Sequence, residues 1–263
     1  MMADRWPDLT EAKRALAEGS GHGIRVAVLD SGVEAGHPRL GIKLVDDLAV
    51  VAEHRRLHVV KGGEKDSFGH GTAVAGVIHE IAPEARIGSI RVLGHDNTSR
   101  TSIIGRAAEE ALDRDYQIIN CSFGCGVEQQ VLDYKSWVDA AYLKGVHVVA
   151  ACDNIDFSKT EWPAYFPSVV AVNMADTKDG EVFFRQRDTL VEFSARGVDV
   201  TVAWAGGGEK VVTGSSFAAP RLAGMLARLL SVFPELSPLE AKAILQKLAL
   251  PWTKKIAAQN VWW

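Results

Sequence analysis

The sequence is poor in cysteine, in long apolar stretches and in net charge. Its three cysteines, Cys121, Cys125 and Cys152, are an odd number and form no zinc-type pairing. No apolar run approaches the roughly 18 residues that suggest a membrane span. The opening stretch MMADRWPDLTEAKRALAEG is polar, without the apolar centre and small-residue cleavage site of a secretory signal. The formal net charge is −4, so neither nucleic acid nor an anionic membrane is expected as a partner. Internal repeats and low-complexity linkers are lacking too. These shortages together point to a reducing, cytoplasmic setting.

What is present suits one sizeable core. The 263 residues are 47% hydrophobic, and a single domain over residues 1–263 is expected, with 1–23 as an N-terminal extension and 250–263 as a C-terminal tail. Residues 24–30 (IRVAVLD), 87–93, 117–123 and 147–153 are short apolar runs rich in β-branched residues, which predicts buried strands. Helical patterns fall between them, over 72–81, 102–114 and 128–143. Further strands are expected over 169–175, 191–195, 200–205 and 210–213. Two helices follow, one over 216–230 and one after Ser237-Pro-Leu-Glu240, a capping box with proline at the first helical position. The alternation predicts an α/β three-layer sandwich with a mainly parallel central sheet. Trp252, Trp262 and Trp263 are read as local packing in preference to a contact surface.

Three segments hold a reactive residue among small neighbours: VAVLDSGVEAGHP around Asp30, DSFGHGTAVAGVI around His70 and GSSFAAPRLAG around Ser216. Glycines allow sharp turns and close approach of a substrate. A serine at a helix start has free N–H groups beside it that can stabilise an oxyanion. Taken singly, each residue is ordinary: Asp at a strand end forms turns, His beside Gly caps helices, and Ser before an apolar helix is an N-cap. In this order and context the three segments resemble the active-site motifs of the subtilase family, over about residues 16–248.

The resemblance implies a subtilisin-like fold and a serine endopeptidase. Ser216 would be the nucleophile, His70 its general base and Asp30 the group that orients His70. The stretch VVAACDN resembles the strand ending in the oxyanion-hole asparagine, which assigns that role to Asn154; a plain turn residue is the bland reading. Substrate backbone would pair with Ser122, Phe123 and Gly124. Ala151, Cys152, Asp153 and Glu161 would border the pocket for the side chain on the acyl side of the scissile bond. Asp153 stands where the family usually has glycine, and with Glu161 and nearby Asp156 it suggests cleavage after Arg or Lys; the alternative is that these carboxylates face solvent.

No cofactor is implied. Arg39 replaces an aspartate that holds calcium in secreted relatives, and the helix after His70 leaves no room for the calcium loop, so no metal is expected at that site. The expected partner is a peptide or protein substrate, with an activating or inhibitory protein as a further possibility. The leading expectation is a dedicated intracellular processing protease. A peptide ligase or macrocyclase on the same scaffold and an inactive peptide-binding pseudoprotease are the alternatives.

Overall fold

The computed structural model describes residues 6–253; Trp262 and Trp263 lie outside them. The chain opens with helix α1 (Leu9–Glu18), entered through a capping box: the Asp8 carboxylate accepts from the Glu11 N–H and the Glu11 carboxylate from the Asp8 N–H. Strand β1 (Arg25–Asp30) leads to a hairpin of β2 (Asp47–Glu53) and β3 (Arg56–Lys61), then helix α2 (His70–Ile81), β4 (Arg86–Arg91), α3 (Thr101–Asp113) and β5 (Ile118–Cys121). A 3-10 turn, Glu128–Gln130, precedes α4 (Val131–Leu143), followed by β6 (His147–Ala151), β7 (Val170–Ala175), β8 (Phe183–Arg185) and β9 (Phe193–Arg196). The hairpin β10 (Val200–Trp204) and β11 (Gly208–Val212) comes before α5 (Ser215–Val232) and α6 (Pro238–Leu248), and β12 (Leu250–Pro251) ends the described chain.

The main sheet runs β12-β8-β9-β7-β6-β5-β1-β4-β2-β3. Among the described residues, only β2–β3 and β8–β9 pair antiparallel within it. The expected mainly parallel α/β sandwich is therefore the observed one, and its core is double. On β1, Val26 and Val28 face a cluster with α2, α5 and α6, whereas Ala27 and Leu29 face a second cluster with α3 and α4. A strand buried on both faces has no polar side to show, which is why these strands read as continuous apolar runs.

The structure corrects several boundaries. Ahead of β1, α1 buries Ala12 and Ala15 in the first cluster. Arg228 ties α1 to the rest by donating to the Leu16 and Ile81 carbonyls. The predicted helix over 128–143 divides into the 3-10 turn and α4. The β2–β3 hairpin and β8 were not expected. Trp252 packs its ring 6.0 Å from that of Phe184, edge to face, as local packing would have it.

Candidate active site

Parallel strands deliver their carboxyl ends to one rim, where open α/β sheets present ligand sites. Asp30 closes β1 there, His70 opens α2, and Ser216 is the second residue of α5. The Asp30 carboxylate is fully buried and His70 nearly so. His70 Nδ1 lies 2.8 Å from Asp30 Oδ1 and 3.0 Å from Oδ2. An ionised carboxylate can only accept, so the ring proton sits on Nδ1 and the Nε2 lone pair is free for the cleft. Burial alone would push the His70 pKa down; the Asp30 charge and hydrogen bond, with a smaller contribution from Asp66, outweigh it and hold the pKa above the ordinary value.

Asp66 was not singled out from the sequence, yet it organises this corner. Its carboxylate accepts from the N–H groups of Phe68, Gly69 and Thr72 and from the hydroxyls of Ser31 and Thr72. Gly69, the residue before α2, provides no side-chain cap, and Asp66 supplies that function from three residues upstream. The sign was legible: an acidic residue just ahead of a helix start. Gly69 itself cannot be replaced cheaply, since its φ is +110° and a Cβ would lie 2.3 Å from Trp204 Nε1.

At the start of α5, Pro220 stands one helical turn after Ser216. A residue with an N–H there would donate to the Ser216 carbonyl, and proline has none. The Ser122 hydroxyl fills the gap, donating to that carbonyl at 2.9 Å, and itself receives a bond from Asn120 Nδ2. The Ser216 hydroxyl in turn donates to the Ser122 carbonyl at 3.0 Å. In this resting arrangement the serine is turned to the edge segment, and a rotation about χ1 is the motion that redirects Oγ; such bonds commonly tighten only with substrate bound.

Asn154 is exposed and follows the rim end of β6. Its Oδ1 accepts from the Ser215 N–H at 2.7 Å and from the Ser215 hydroxyl at 2.9 Å. A backbone donor must meet the oxygen, so Nδ2 is left pointing elsewhere with its protons unspent. The N–H of Ser216 lies in the first turn of α5, where helix geometry provides no internal acceptor. Asp30, His70, Ser216 and Asn154 are thus held by elements that converge on one rim.

Of the residues expected to border the substrate side chain, Glu161 is brought against the edge segment. Cys125 and Trp162 exchange backbone hydrogen bonds of 2.9 Å, fastening the loop that carries Glu161 to the segment Ser122-Phe123-Gly124. Glu161 lies so close to Gly124 that a Cβ there would be 2.6 Å from Oε2. Ala151, the last residue of β6, and Cys152 after it are buried. Burial raises the Cys152 thiol pKa to about 12, as expected of an inert cysteine. Asp153 has no left-handed backbone; its Oδ1 instead accepts from the Ile155 and Asp156 N–H groups, closing a turn. Burial would raise the Asp153 pKa, and those bonds together with Lys159 bring it below the usual range. Glu161 is shifted up, first by burial and then by the Asp153 charge. Asp156 caps Ser158 in an exposed turn, so it does not join the pair. Arg39 pairs with Glu209, and α2 runs uninterrupted from His70 to Ile81.

A chain that folds in this way, with a buried Asp–His pair beside a serine-bearing helix start, falls in the class of subtilisin-like serine endopeptidases. It belongs to the subtilase family: residues 21–261 match the family profile described as "Subtilase family". It is 32% identical over 219 residues to the thermophilic serine proteinase of Bacillus sp. (strain AK1), spanning 80% of this chain and 52%, about half, of that relative. Subtilisin DY of Bacillus licheniformis is 29% identical, over 92% of this chain and 89% of its own length. Subtilisin BL of Lederbergia lenta is 30% identical, over 88% of this chain and 84% of its own length. Among solved structures, S41 psychrophilic protease superposes with a TM-score of 0.75 at 28% identity, covering 87% of this chain and 83% of that one. Sphericase gives 0.74 at 26% identity with the same coverage.

Proposed function

We propose that the protein hydrolyses peptide bonds through Ser216, His70 and Asp30, that it cleaves after basic residues, and that it works in the cytoplasm as a processing enzyme. The observation that carries the catalytic reading is the buried Asp30–His70 pair, with the His70 ring 5.2 Å from that of Phe217, the residue after Ser216 in α5. His70 Nε2 takes the Ser216 proton as Oγ attacks the scissile carbonyl carbon, and Asp30 stabilises the imidazolium that forms. The carbonyl π electrons move to oxygen, where Asn154 Nδ2 and the Ser216 N–H donate to the anion. His70 then returns its proton to the leaving amine, and the acyl-enzyme remains. Water, activated by His70 in the same way, releases the acid and regenerates Ser216.

The preference for basic residues rests on Asp153 and Glu161, each with only 16% of its side chain exposed. A substrate guanidinium or ammonium entering beside Gly124 would meet the Glu161 carboxylate and gain charge-assisted hydrogen bonds there. The cytoplasmic reading draws on three free thiols, one of them, Cys125, half-exposed and therefore best kept in a reducing compartment.

A fluorophosphonate probe tests the catalytic part: the parent should label and Ser216→Ala should not. Peptides that differ only in Arg or Leu before the scissile bond test the pocket. Faster cleavage after Arg, erased by Glu161→Gln, is the expected result; a preference for Leu ends the basic reading.

A further inference from the structure

The two pocket carboxylates already have a cation. Lys159 Nζ lies 2.9 Å from Asp153 Oδ2 and 3.7 Å from Glu161 Oε1. Its stem passes the edge segment, with Cε 3.8 Å from the point where a Cβ on Gly126 would sit. Glu161 is therefore shared: Oε1 faces Lys159, and Oε2 lies against Gly124 on the cleft segment. The anions are well covered, whereas the lysine keeps 55% of its side chain exposed. A long, solvated side chain can swing back into water at little cost, and the two carboxylates cannot.

We propose that Lys159 is a resident cation of the specificity pocket, seated on Asp153 and Glu161 while no basic side chain is bound and displaced from Glu161 by one that arrives. The inference rests on the reading of this pocket as a site for Arg or Lys. Seated, Lys159 offsets one of the two negative charges of Asp153 and Glu161, leaving −1, and lets an apolar side chain enter a partly neutralised pocket. When a basic side chain arrives, the lysine retreats to Asp153, its nearer partner, and Glu161 is released to the substrate. Lys159 therefore tempers a selectivity that the carboxylates alone would make steep, and it acts on substrate binding, away from the reacting atoms.

Steady-state kinetics of the parent, Lys159→Met, Lys159→Arg and Glu161→Gln, on the matched Arg and Leu peptides, test this. Lys159→Met should lower KM for the Arg peptide about fivefold, the scale of a half-exposed ion pair, and leave kcat unchanged. For the Leu peptide it should raise KM, because unneutralised carboxylates then face an apolar group. Lys159→Arg, which keeps the cation, should retain the parent values. Fluorophosphonate labelling rates establish that each variant is folded around its serine, and Lys159→Gln serves if the Met variant labels poorly. If the neutral variants shift both peptides alike, or neither, while Glu161→Gln still erases the Arg preference, the resident-cation proposal fails and the basic reading stands. If Glu161→Gln leaves the Arg/Leu ratio unchanged, the basic reading itself falls.

Discussion

Ser122 and Ser216 exchange hydrogen bonds, each hydroxyl donating to the other residue's carbonyl, at 2.9 and 3.0 Å. One of these bonds exists because Pro220 withholds the donor that a helix would normally supply to Ser216. The edge segment of the cleft and the first turn of α5 are thereby joined through the candidate nucleophile itself.

Ser122→Ala should therefore orphan the Ser216 carbonyl, a loss worth roughly 1–3 kcal/mol. The expected outcome is an approximately tenfold slower reaction with fluorophosphonate. In a Pro220→Ala background the restored N–H can serve that carbonyl, so the same Ser122→Ala change should cost much less. A double-mutant cycle on labelling rates reads the coupling; equal losses in both backgrounds would refute the account.

Asn154→Ala should lower kcat about 10²–10³-fold with little change in KM, because its Nδ2 is needed only once negative charge develops. Asn154→Asp keeps an oxygen for the Ser215 N–H while replacing the amide donor with an anion. Activity should fall at least as far, with thermal stability close to the parent. Substantial activity in Asn154→Asp would remove Asn154 from the mechanism.

Catalysis needs His70 neutral, and its pKa is held above the ordinary 6.5. The acid limb of kcat/KM should accordingly lie above pH 6.5, with activity lost as pH falls through it. Asp30→Asn removes the main force opposing burial, so the limb should move to lower pH while kcat drops about 10⁴-fold. A limb unmoved by Asp30→Asn would assign it to another group.

Acid stability should be governed in part by a histidine outside the site. His147 is buried in β6, and that burial lowers its pKa from 6.5 to about 4. The unfolded chain binds this proton below pH 6.5 and the folded chain only near pH 4, so between these values unfolding takes up a proton. The His147 contribution is fully present above pH 6.5 and declines as pH falls to about 4, a change of about 3 kcal/mol. Urea midpoints followed across that window should drop, and His147→Leu should flatten the slope. An unchanged slope would show that other groups control it.

The site was more legible than its surroundings. Asp30, His70 and Ser216 sit in short segments whose small neighbours are dictated by tight turns and helix starts, so the chemistry is local in sequence. β1, β5 and β6 were legible as apolar runs because both faces are buried. The β2–β3 hairpin was not, since β3 is largely exposed and its turn uses His54 and Arg55 at positive φ in place of the usual Asn-Gly. α1 was hidden in a polar stretch, although Asp8-Leu-Thr-Glu11 is a capping box that announces it. The Lys159 contact was out of reach, because which of two carboxylates a flexible lysine meets depends on how the loop folds back.

The loop between Asp153 and Trp162 is anchored at both ends, by the turn that Asp153 closes and by the Cys125–Trp162 pairing. Between these ends, residues 155–161 bond to one another, to Asp153 and to Tyr165, whose hydroxyl donates to the Ser158 carbonyl and whose N–H donates to the Glu161 carbonyl. Asn154 lies inside this loop and holds the Ser215 N–H at the start of α5, so one short stretch of chain touches both the acidic pair and the candidate oxyanion donor, and a change in how it folds is transmitted to both.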